Sequence, residues 1–119
     1  MSVDKTVEFL NDNRELIESY VLLREMKLFL DVGHDHYHPR IRIKIYKSAV
    51  MPSAPFHFEV SHNVHTPEQA GPYFPSRTSA ESEEEAISQA ISTTTTFLKS
   101  AIRMGHEPAD SWLVPNKEF

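Results

Sequence analysis

The segment Arg40-Ile41-Arg42-Ile43-Lys44-Ile45-Tyr46 alternates polar and aliphatic residues without a break. Side chains of an extended chain point to opposite faces in turn, so this pattern specifies a half-buried strand. Ile41, Ile43 and Ile45 demand a core, while Arg40, Arg42, Lys44 and Tyr46 face the other way. The chain must therefore build a sheet with one covered face and one open face, which is the common state of antiparallel sheets.

A return strand is predicted from Phe56. Phe58, Val60, Val64 and His62 are assigned to its apolar side, and His57 and Glu59 to its polar side. The joining loop from Ser48 to Pro55 carries two prolines and exceeds a tight hairpin turn, so turn chemistry does not set the register. Thr66 to Thr78 contains Pro67, Gly71, Pro72 and Pro75 and is expected to run extended and irregular.

Helices are expected on both sides of this sheet. Phe9, Leu16, Leu23 and Leu30 recur every seven residues, with Val3, Leu10 and Ile17 as a neighbouring stripe. Asn11-Asp12-Asn13 interrupts the stripe and offers a cap, with Asp12 and Glu15 spaced as a capping box. The N-terminal third thus reads as one long helix, or a short one followed by a longer one, stopped at Gly33. A second helix is predicted to begin after Thr78, boxed by Glu81, and to stop at Gly105. The run Ser92-Thr93-Thr94-Thr95-Thr96 is a poor helix former and needs tertiary packing to hold it. Ser111-Trp112-Leu113-Val114 reads as a short strand or apolar anchor.

The expected fold class is α+β. A two-layer sandwich packs a small antiparallel sheet of two or three strands against an N-terminal and a C-terminal helix. The order is α-β-β-α with a short C-terminal strand or anchor, in a single domain over residues 1–119. Such a sheet keeps open edges, so pairing into a homodimer or higher homo-oligomer is expected.

Composition narrows the function classes. There is no cysteine, which removes disulfides and thiolate metal sites. No apolar run approaches a membrane span and the first residues lack a signal-peptide pattern, so a cytoplasmic protein without membrane contact is expected. The net charge of −5 is uneven. Residues 1–36 carry four basic and eight acidic residues, residues 37–78 five and two, and residues 79–119 three and seven. The acidic flanks, with Glu81 and Glu83 to Glu85 at the predicted helix start, argue against nucleic acid. The basic centre suits a local anion site.

Six of the seven histidines lie between His34 and His65, around the same strands. The leading expectation is a non-catalytic binding protein, more binder than enzyme. Arg40, Arg42, Lys44, Tyr46, His57 and Arg103 would capture an anionic small ligand, nucleotide-like, by sequestration. Arginine supplies a planar fork for phosphate, and Tyr46 and His57 supply rings for stacking. One alternative is a metal-dependent hydrolase. His36 and His38, spaced to share a face, would ligate the ion with His57, and Glu59 would act as base. Another is a structural or inhibitory module whose acidic helices meet a protein partner. The glycines are too few for a phosphate loop, and no motif names a cofactor.

Overall fold

The computed structural model describes residues 1–119. In chain order its elements are α1 (Val3–Asn11), β1 (Val21–Phe29), β2 (Arg40–Lys47), β3 (Phe56–Val60), β4 (His62–Val64), β5 (Ser79–Ala80), α2 (Glu83–Arg103) and β6 (Leu113–Pro115). A single 3-10 turn over Asp110–Trp112 precedes β6. Two helices and a small antiparallel sheet make this an α+β fold. The main sheet has four strands in the order β1-β2-β3-β5, and β4 pairs with β6 in a separate two-stranded ribbon.

The N-terminal third departs from expectation. The helix ends at Asn11, and residues 21–29 form a strand instead of a second helical stretch. The heptad spacing of Leu16, Leu23 and Leu30 is real in the sequence but idle in the structure. Val21–Phe29 also carries a period-two pattern, and antiparallel pairing with β2 selects that one, tertiary context overriding local propensity. Asn13 makes a short turn, its side-chain oxygen accepting the Glu15 amide at 2.8 Å, rather than starting a helix. α1 is capped by Ser2, whose hydroxyl accepts the Lys5 amide at 3.2 Å. It buries no residue, so only α2 packs on the isoleucine face.

That packing explains the α2 sequence. Ala86, Ala90, Thr94, Leu98 and Ala101 form its buried stripe, against Ile41, Ile43, Ile45, Phe58 and Val60. Three alanines let the helix backbone approach the sheet closely. Thr94 is fully buried, and its hydroxyl satisfies itself on the carbonyls of Ala90 (3.2 Å) and Ile91 (2.9 Å). The N-cap is Ser82, which accepts the Glu85 amide at 3.1 Å, one turn later than the Thr78 box predicts. Gly105 stops the helix with a φ of +91°, as expected. Trp112 is an anchor in the core, edge-on to Tyr37 at 6.2 Å.

The molecule is long, 52 × 25 × 22 Å, with a radius of gyration of 16.4 Å. A compact chain of this length would have roughly 13–14 Å. The excess fits α1, which extends the molecule without entering its core. No helix is long and apolar enough to cross a membrane.

Candidate functional site

The strand β2 places Arg40, Arg42, Lys44 and Tyr46 on the face turned away from α2, while its isoleucines are at most 1% exposed. Register with the neighbouring strands decides what these groups meet. Phe29 lies opposite Arg40 and Lys27 opposite Arg42. Lys44 sits between Glu25 and Glu59, and Tyr46 between Leu22 and His57. Lys44 is thus flanked in register by two carboxylates but forms no ion pair with either. The strip is therefore not uniformly basic, and Lys27, Arg40 and Arg42 cluster at one end of it.

At that end Lys27, Arg40, Ile41, Arg42, Ser61 and His62 line a 370 Å³ pocket. Arg42 is tied to Glu25 (Nη1 to Oε2, 3.1 Å), while Lys27 and Arg40 form no ion pair. The Ser61 hydroxyl accepts the Arg42 backbone N–H at 2.8 Å, and its oxygen lies 2.8 Å from His62 Nδ1. With the hydroxyl donating to Nδ1, a neutral His62 ring carries its proton on Nε2 and offers it as a donor. Burial pushes the His62 pKa down, and Arg42 and Arg40 push it further down. Burial first, and then the two guanidinium groups, favour the uncharged ring.

The opposite end of the same face is aromatic. Tyr20, Tyr46, His57, Phe58, Glu59 and Thr78 line a 360 Å³ pocket. Tyr20 stands edge-on to His57 at 5.2 Å and to Tyr46 at 6.3 Å. Burial, followed by the Glu59 carboxylate beside it, pushes Tyr46 up to about 12. Burial lowers His57, with Glu18 opposing, and His57 Nε2 is enclosed without a hydrogen-bond partner. Between the two ends lies Phe119. Its ring covers Lys44 (Nζ 4.2 Å from the centroid) and Arg42 (5.1 Å). Asn116 holds this tail through its amide to the Ser61 carbonyl (2.8 Å) and its side chain to the Val60 carbonyl (2.9 Å).

The expected set thus splits. Arg40 and Arg42 converge, while Tyr46 and His57 form the second pocket and Lys44 lies between under Phe119. Arg103 does not join them: it lines a different pocket with Asp31, Lys99 and Ile102, on the α2 side. The histidines expected to share a metal are not gathered either. His38 Nε2 lies 3.1 Å from the Asp35 carbonyl, and His34 Nδ1 accepts the His36 amide at 3.1 Å. His57 pairs with Tyr46 at the far end of β2 from His38, and the stretch from Arg40 to Tyr46 alone spans about 20 Å. Nowhere do three or more His, Asp or Glu side chains come together to hold an ion.

Sequence reasoning missed Lys27, Ser61, His62, Tyr20 and Phe119. Lys27 was legible in principle, since Glu25, Lys27 and Phe29 alternate with Met26 and Leu28. No local signal carries Phe119 to Lys44, which depends on the β4–β6 pairing. Comparison with protein-family models, with curated proteins and with solved structures finds no match.

Proposed function

We propose that this protein is a non-catalytic binder of a small anionic ligand, held at the Lys27, Arg40, Arg42 and His62 end of the open sheet face. One observation carries the reading: two unpaired cations, the Arg42 guanidinium and the His62 imidazole surround one 370 Å³ pocket. Arginine forks and a lysine ammonium match the oxygens of a phosphate or carboxylate. Like charges held this close on a folded surface raise the local potential, which an anion relieves. The aromatic pocket on the same face favours a ligand that joins a phosphate to a ring, hence a nucleotide-like molecule.

Calorimetric titration at low salt tests this with pyrophosphate and with adenosine and guanosine di- and triphosphates. Saturable binding that weakens steeply with added salt is expected. No heat with any of these probes at millimolar concentration overturns the reading. Binding that survives in the Arg40→Ala/Arg42→Ala double variant places the ligand elsewhere and also overturns it.

A further inference from the structure

β1 is an edge strand of nine residues. Its free side can be assigned residue by residue. The Leu30 amide donates to the Pro39 carbonyl at 2.9 Å, so Leu30, Leu28 and Met26 turn their backbone groups toward β2. The Arg42 carbonyl accepts the Ser61 amide at 2.9 Å, so Arg42, the residue opposite Lys27, turns its own groups to β3. The backbone N–H and C=O of Glu25, Lys27 and Phe29 are therefore the ones left facing outward. Leu22 and Phe29 on this strand are 50% and 65% exposed. An edge of this length invites a further strand.

We infer that β1 pairs antiparallel with β1 of a second copy of this chain, around a twofold axis at Met26. The argument for a second copy is charge. Self-pairing relates each residue to its mirror position across the axis. An axis at Glu25 or Lys27 sets like charge on like charge, and an axis at Leu28 sets Glu25 against Asp31. Only an axis at Met26 sets Glu25 of one copy opposite Lys27 of the other, and does so twice. These are also two of the residues whose backbone groups face outward, so the register that satisfies the charges satisfies the hydrogen bonds. Met26 then meets its own mate in a non-hydrogen-bonded pair. Phe29 lies over the Leu22–Leu23 segment of the other copy, where the strand bulges. The two four-stranded sheets become one, with both basic pockets on a common face. This interface is independent of the ligand proposed above, although Lys27 borders both.

The chain has no cysteine, which makes the test direct. In Met26→Cys the two thiols face each other with Cα atoms about 4.5 Å apart, within disulfide reach. Mild oxidation should yield a covalent dimer quickly. Leu28→Cys, with its mates about 14 Å apart, should not cross-link. Sedimentation velocity should show a dimer for the unaltered protein and a monomer for Glu25→Lys and for Lys27→Glu, each checked for folding by circular dichroism. Mixing those two variants should restore a dimer, since every facing pair is then opposite in charge. A monomer at high micromolar concentration, a dimer indifferent to both charge reversals, or equal cross-linking at positions 26 and 28 overturns the inference. None of these readouts involves a ligand, so pyrophosphate binding stands or falls separately.

Discussion

The two faces of β2 are built from alternate residues of one seven-residue stretch, yet they obey different rules. On the covered face Ile41, Ile43 and Ile45 meet Ala90, Thr94 and Leu98, and the buried Thr94 hydroxyl is satisfied within its own helix. Shape is the constraint there. On the open face Arg40, Arg42, Lys44 and Tyr46 meet charges and rings, and water remains available to most of them. Charge is the constraint there, and small changes in neighbours redistribute it. Lys44 lies in register between Glu25 and Glu59 and under the Phe119 ring, whereas Lys27 and His62 turn the Arg40 end into a pocket. Stability should therefore reside on one side of the strand and recognition on the other.

Four measurements bear on that division. The largest effect is expected from Ile43→Ala, fully buried, which should lower unfolding free energy by about 2–5 kcal/mol in urea titrations. Pyrophosphate affinity of the folded fraction should not change; a parallel loss of affinity would mean the faces are coupled. Next, Arg40→Ala/Arg42→Ala should weaken pyrophosphate more than about tenfold, since a hydrogen bond to a charged group contributes about 1.5–3 kcal/mol. Its stability should stay within about 1 kcal/mol of the parent, because the exposed Arg42–Glu25 pair is worth little.

The third measurement is a pH series. His62 and His57 both have lowered pKa values in the fold. Below about pH 6.5 the unfolded chain takes up protons that the folded chain refuses. Stability from these groups is thus complete above that pH and declines as pH falls toward the depressed folded values. A bound anion screens Arg40 and Arg42 from His62 and raises its pKa, so binding should strengthen from pH 7 to acid and take up a proton. His62→Gln should flatten that slope, and a slope that persists would assign the proton elsewhere. The smallest effect concerns the Lys47–Asp4 ion pair that joins β2 to α1. Lys47→Ala should cost no more than about 1 kcal/mol in thermal melts.

How much of this was legible in the sequence follows the same division. β2 and the start of β3 at Phe56 were readable because strict alternation has only one satisfactory structure. The stop at Gly105 and the anchoring role of Trp112 were readable from single-residue chemistry. β1 was not, because Val21–Phe29 supports both periods and only its partner strand chooses between them. The candidate site was half readable. Arg40 and Arg42 follow from alternation, but Lys27 and His62 arrive through cross-strand register and the short step from β3 to β4. Arg103 belongs to α2, and a helix on the covered side does not reach the open one.

Phe119 gives the open face a sense of length. On the proposed reading, a ligand no larger than a diphosphate would sit beside Arg40 and leave the ring where it is. A ligand spanning from there to Tyr46 must first lift that ring off two cations, forfeiting about 0.5–1 kcal/mol for each contact. If that face binds anions as proposed, the ring would act as a gauge, admitting short anions freely and long ones only when their far end gains more from Tyr20 and His57 than the ring gives up.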